Sequence, residues 1–129
     1  MNERRQKLIK TYNSNKIEGV ELLLDNVHDP HNVAAVSRSA DALGIRIIHL
    51  YYTYNECPDM KSKGHKASAS ANQWIQYQKV DNLNEFIGLK KSQKFKVYGA
   101  AKQEGARDAS ALIFPKRTLL LMGSEQYGL

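Results

Sequence analysis

The chain has 129 residues, 42% of them apolar, and its nineteen Lys and Arg against thirteen Asp and Glu give a net charge of +6. That length allows one domain with a modest core, and no apolar run approaches the roughly 20 residues of a membrane-spanning helix. Cys57, the only cysteine, excludes an internal disulfide and fits a reducing cytoplasm, while the basic excess favours a polyanionic partner.

The N-terminus, with Arg4, Arg5, Lys7 and Lys10, lacks the apolar core of a signal peptide. Residues 3–12 read as a short charged helix anchored by Leu8 and Ile9, either a solvated helix or a basic arm on RNA phosphates. Residues 1–16 are therefore expected to form a basic helical extension of one domain over 17–129. Val20 to Leu24 is a buried strand by its apolar run. The next stretch carries helix signals at both ends. Asp29 can cap, Pro30 suits a first helical position, and Gly44 suits a left-handed residue past the last turn. Val33, Val36, Ala40 and Leu43 recur between them at helical spacing. His31 and Arg38, seven apart, share a different face. Asn32 falls in the first turn, where free N–H groups and the helix dipole favour an anion.

Ile45 to Leu50 is short and β-branched, so it reads as the next strand, joined by a right-handed parallel crossover. Residues 51–66 form a loop containing Lys61, Lys63, His65 and Lys66, followed by small polar residues 67–72 and an apolar stretch at Trp74, Ile75 and Tyr77. Val80 to Lys91 is expected to be a helix capped by Asp81 or Asn82. Phe95 to Ala101 is expected to be a strand, ending in the small Gly99-Ala100-Ala101 where a ligand can approach backbone. Residues 105–117 read as a loop with a short helix, and Thr118 to Met122 as a further strand leading into Gly-Ser-Glu-Gln-Tyr-Gly-Leu. Strands alternating with helices predict an α/β fold with a mostly parallel sheet and flanking helices.

Several chemistries can be set aside. His28 and His31 have no Cys or carboxylate pattern to complete a zinc site. Neither a Gly-x-Gly-x-x-Gly fingerprint nor a Walker loop occurs. Ser124 lacks the flanks of a nucleophile elbow, and Asp25 lacks the companion acids of a phospho-receiver.

Asn32, Arg38 six residues on, and Ala40-Asp41-Ala42-Leu43-Gly44 resemble the first motif of the SpoU, or TrmH-like, family of SPOUT RNA methyltransferases. Leu121-Met122-Gly123-Ser124-Glu125-Gln126-Tyr127-Gly128-Leu129 resembles the second. Val27 to Asn32, the Ser-rich stretch before Trp74 and Gly105-Ala106-Arg107-Asp108 are similar to the tRNA guanosine 2′-O-methyltransferase branch. Two ordered motifs in the right strand context are specific where a lone Gly-Ser-Glu would be weak.

The resemblance implies an α/β-knot domain, S-adenosylmethionine as cofactor, a homodimer, and methyl transfer to a ribose 2′-hydroxyl of structured RNA. A guanosine in the tRNA D-arm is favoured over ribosomal RNA. By position Arg38 matches the family's catalytic arginine, Asn32 the motif asparagine and Glu125 the second-motif glutamate. Ala100, Ala101, Gly123, Ser124, Gly128 and Leu129 fall where the cofactor pocket is built. His31, Arg38, Lys63, Lys66 and Arg107 are candidate RNA contacts. Each has a plainer alternative: an Arg38–Asp41 surface ion pair, an ordinary first-turn residue for Asn32, a solvent-facing Glu125, and solvation for the Lys residues and Arg107.

The family's third motif has no counterpart before Leu129. The expectation is therefore a fragment of a longer gene product with an incomplete knot, and apolar surface left uncovered on Thr118 to Met122. A non-catalytic RNA-binding module, or an inactive fragment without a complete cofactor site, is the alternative function.

Overall fold

A computed structural model describes residues 3–4, 19–58, 74–101, 105–124 and 128–129. Strand β1 (Val20–Asp25) leads into helix α1 (Pro30–Leu43) and strand β2 (Ile47–Tyr51). Strand β3 (Gln76–Val80), helix α2 (Leu83–Ser92) and strand β4 (Lys96–Ala100) follow. A single 3-10 turn at Ala109–Ala111 precedes strand β5 (Thr118–Gly123). Glu3 and Arg4 are helical; the rest of the expected N-terminal extension lies outside the described residues. No helix among the described residues is long and apolar enough to cross a membrane.

The local signals around α1 act as their chemistry dictates. The Asp29 carboxylate accepts the His31 N–H at 2.9 Å, Pro30 opens the first turn without a donor to satisfy, and Gly44 stops the helix at φ 81°. The Gly44 and Ile45 N–H groups then bond back to Asp41 and Ala40 carbonyls. Of the two candidates for the α2 cap, Asn82 is the one used, its side chain accepting the Glu85 N–H at 3.0 Å.

All five strands are parallel, in the order β3-β2-β1-β5-β4. β1 alternates cleanly between the sheet's two faces. Leu22 and Leu24 join Ile48, Leu50, Val33 and Ala40 under α1. Leu23 joins Leu119, Leu121 and Val80 under Phe86 and Ile87 of α2. At about 25 cal/mol per Å² of apolar area, these two layers dominate the favourable side of folding. Ser37, fully buried in α1, bonds the Val33 carbonyl at 2.8 Å and meets Tyr77 Oη of β3 at 2.6 Å, fixing the helix over the sheet.

Two expectations are corrected. Val80 closes β3 instead of opening α2, and the stretch from Trp74 continues into a strand. Gln76, Gln78 and Lys79 are exposed because β3 is an edge strand, so the apolar alternation that advertises a strand is muted. β5 sits between β1 and β4 with Leu119 and Leu121 buried; the apolar surface expected to lie uncovered is limited to its other face, where Leu120 and Met122 are half-buried and Leu120 lines an open cleft.

Candidate functional site

The chain runs from β1 outward through β2 to β3, then crosses to β4 at the far edge and returns to place β5 beside β1. In open parallel sheets, ligands bind outside the carboxyl ends of strands where the direction of winding reverses. Here that point lies between β1 and β5, whose last residues, Asp25 and Gly123, are register partners. The topology thus brings the two sequence motifs together although most of the chain separates them.

A polar cleft of about 210 Å³ occupies this point, lined by Asn26, His28, Asp29, Asn32, Asn55 and Ser124. Asn32 enters from the first turn of α1 and Ser124 from the residue after β5. Beyond Ser124 the chain doubles back: Ser124 and Gly128 form an antiparallel bridge, and the Gly128 N–H donates to the Ser124 carbonyl at 2.8 Å. The reversal depends on Gly123. A Cβ there would stand 2.1 Å from the Gly128 carbonyl carbon and 2.4 Å from the Leu129 nitrogen, well inside any real contact. Leu129 in turn lies against Gly99 of β4.

A larger cleft of about 730 Å³ runs along β4, with Ala100, Ala101, Arg107, Leu112, Phe114 and Leu120 among its walls. The Tyr98 and Phe114 rings meet edge-on at 4.8 Å on one side of it. Of the Gly105 to Asp108 stretch, Ala106 and Arg107 line the cleft. Asp108 caps the 3-10 turn, accepting from the Ser110 N–H and hydroxyl at 3.0 and 2.8 Å, and these bonds hold its carboxyl below the ordinary carboxylate value.

The sequence-predicted residues divide as follows. Asn32 and Ser124 share the polar cleft; Ala100, Ala101 and Arg107 line the larger one; Gly123, Gly128 and Leu129 build the turn near β4. His31 and Arg38 both project from the exposed side of α1, two turns apart. Arg38 starts six residues after Asn32, roughly 9 Å along the helix axis at 1.5 Å per residue. It does not pair with Asp41, which instead faces Arg46 at 3.8 Å. Glu125, Lys63 and Lys66 lie outside the described residues. Among the described residues no cluster of three or more metal-ligating side chains occurs.

Sequence reasoning missed the supports beneath the site. Tyr52 donates its hydroxyl to the Val27 carbonyl at 2.5 Å, and burial raises its pKa. On the opposite face a buried polar trio ties α2 to the sheet. Glu21 Oε1 lies 2.6 Å from His49 Nε2 and 2.7 Å from Lys90 Nζ. Burial alone would raise the Glu21 carboxyl, but the bonds from His49 and Lys90 and the Lys90 charge outweigh it and hold its pKa below 4.5. No short-range pattern announces this trio, because its members come from β1, β2 and α2.

The tRNA (guanosine(18)-2′-O)-methyltransferase of Thermus thermophilus is 29% identical over 126 residues, which is 98% of this chain and 63% of that protein. The crystal structure of the Aquifex aeolicus TrmH/SpoU tRNA modifying enzyme superposes with a TM-score of 0.86 at 21% identity, covering 98% of this chain and 63% of the other; it shows the shared fold. The AdoMet-bound rRNA methyltransferase of Sinorhizobium meliloti superposes with a TM-score of 0.71 at 27% identity, covering 89% and 43%. The chain therefore spans less than two thirds of each of these proteins. Residues 19–129, which hold the five strands, both clefts and both motifs, match the profile of the SpoU rRNA Methylase family, and the chain belongs to that family.

Proposed function

We propose that the protein is an S-adenosylmethionine-dependent RNA 2′-O-ribose methyltransferase acting on a guanosine of the tRNA D-arm, with ribosomal RNA the second choice. The observation that carries this reading is the meeting of Asn32 and Ser124 at the switch point of the sheet, in a chain related to the Thermus tRNA guanosine 2′-O-methyltransferase. The basic excess supports an RNA substrate.

The residues present fit the cofactor. The cleft along β4 lies within the roughly 300–1,000 Å³ of small-molecule sites; its wall is mostly small and apolar, with Lys96 and Arg107 as its charged members, and Ala100 and Ala101 let a ligand come close to backbone. Ala100, Ala101, Gly123, Ser124, Gly128 and Leu129 are the residues proposed to hold it. When bound, S-adenosylmethionine supplies an electrophilic methyl group carried on a sulfonium.

The protein's own part is alignment and charge. A ribose hydroxyl is a poor nucleophile and must shed its proton as it reacts. A guanidinium stays protonated in proteins, which makes Arg38 a poor proton acceptor but a strong bidentate ligand. Arg38 is therefore assigned to grip the phosphate beside the target ribose and stabilise the developing alkoxide. The proton of the ribose hydroxyl leaves by way of the phosphate that Arg38 grips. Asn32, at the helix N-terminus, orients the same sugar-phosphate unit, and Glu125 completes the site from the second motif. His31, Lys63, Lys66 and Arg107 are proposed phosphate contacts, and assembly is proposed to be a homodimer.

The test is to incubate the protein with tRNA or ribosomal RNA and methyl-labelled cofactor, then map the labelled nucleotide. Label on the ribose of a D-arm guanosine supports the reading. RNA binding without label in either substrate supports the non-catalytic alternative.

A further inference from the structure

We infer that Asn26 is a positioning residue of this site: its buried amide holds the loop after β2 so that Tyr54 meets Ser124 of the second motif and Asn55 lines the polar cleft. The inference rests on the functional reading above and extends it to a residue outside the candidate catalytic set.

Asn26 follows the last residue of β1 and has φ 58°, a left-handed conformation that Asn tolerates better than most side chains. It is 3% exposed. Its Oδ1 accepts three consecutive backbone N–H groups, from Thr53 at 2.9 Å, Tyr54 at 3.2 Å and Asn55 at 3.3 Å. Its Nδ2 donates to Asp25 Oδ1 at 2.7 Å and Thr53 Oγ1 at 2.9 Å. Asn55 Nδ2 returns a bond to the Asn26 carbonyl at 2.9 Å, and the Asn26 N–H bonds the Tyr51 carbonyl at 2.8 Å.

Successive N–H groups that converge on one point form a cup for an anion or a carbonyl oxygen. Here the cup is filled from within the chain, by an amide more than 25 positions away in sequence. The loop conformation is thus templated by Asn26. Both polarities of the amide are used: the oxygen shapes the loop while the nitrogen fixes Asp25, the register partner of Gly123.

The consequence reaches the second motif. Tyr54 is 54% exposed, so burial does not place it; yet its hydroxyl lies 3.2 Å from Ser124 Oγ, at the head of the Gly123–Gly128 turn. Asn55 and Asn26 themselves line the polar cleft beside Asn32. A loop that relaxed by an ångström would move a wall of the cleft and release the contact to Ser124.

The experiment compares wild type with Asn26→Gly, Asn26→Asp and Tyr54→Phe by amide hydrogen exchange, with kcat and KM for RNA methylation measured in parallel. Gly accepts the backbone angle, so Asn26→Gly removes the template without adding strain. It is expected to speed exchange at Thr53–Asn55 by about tenfold or more while α2 stays protected. It should lower kcat by about tenfold or more with little change in KM, the mark of misalignment. Asn26→Asp keeps the acceptor oxygen but sets a carboxylate oxygen where the amide now donates to Asp25 Oδ1 at 2.7 Å, so it is expected to recover the loop protection only in part. Tyr54→Phe should keep that protection and still lower kcat.

Unchanged exchange at 53–55 in Asn26→Gly, equal acceleration throughout the sheet and α2, or unchanged kcat would each overturn the inference. A wild-type protein that transfers no methyl group counts against the functional reading instead, and the exchange comparison then decides the anchor on its own.

Discussion

Asp25 and Gly123, the last residues of β1 and β5, are register partners in the centre of a parallel sheet. This pairing puts the helix that carries Asn32 and Arg38 beside the turn that carries Ser124, where the Gly128 backbone packed against Gly123 leaves that residue no room for a side chain.

Gly123→Ala places a methyl group where the Gly128 backbone now sits, 2.1 Å from its carbonyl carbon. The turn must open, while the β5 core residues Leu119 and Leu121 keep their cover from α2. Titration calorimetry with S-adenosylmethionine is expected to show affinity reduced by about tenfold or more, equivalent to about 1.4 kcal/mol. Unchanged far-ultraviolet circular dichroism would show that the sheet persists.

Asp29→Ala removes the side chain that caps α1 through the His31 N–H. The loss should be about 1 kcal/mol, read as a lower midpoint in urea with an unchanged slope. Asp29→Ser supplies a hydroxyl acceptor and should recover most of it. An Ala variant as stable as wild type would show that Pro30 and packing set the helix start alone.

The Glu21–His49–Lys90 trio gives a pH dependence of stability. The folded Glu21 carboxyl is held below its ordinary value of 4.5, so folding favours its ionised form. That contribution is fully present above pH 4.5 and is lost as pH falls below 4.5 through the depressed folded value. Lys90→Met leaves the buried carboxylate with one partner fewer, and it is expected to cost on the order of 3 kcal/mol at pH 7. Urea unfolding at pH 7 and pH 3.5 checks both points: the gap between wild type and Lys90→Met should narrow at the lower pH, and a constant gap would contradict the assignment.

How far the sequence could be read depends on the range of the interaction. Helix α1 was legible to the residue because Asp29, Pro30 and Gly44 act on their own neighbours. The parallel direction of the strands was legible from the alternation of strands and helices, their order in the sheet was not, and each motif supplies a residue to the polar cleft, Asn32 and Ser124. β3 was obscured because an edge strand exposes Gln76, Gln78 and Lys79, which left Val80 to be read with the helix that follows. The Asn26 anchor and the buried trio were invisible. Asn26 meets the loop at Thr53–Asn55, and Glu21 is 28 positions from His49 and 69 from Lys90. Such pairs exist only once the sheet has fixed its register. The Arg38–Asp41 pair, the plainer alternative that helical spacing allowed, does not form: Asp41 faces Arg46 beyond the helix end, where a short turn brings the guanidinium back.

The most direct measurement is single-turnover methyl transfer to tRNA by wild type and Arg38→Lys, with folding compared by thermal melting. Arg38 is exposed and forms no ion pair among the described residues, so the substitution should leave stability within about 0.5 kcal/mol. The assignment of a bidentate phosphate grip predicts a turnover about 100-fold lower with the lysine, at similar RNA affinity. Near-normal turnover by Arg38→Lys would contradict it.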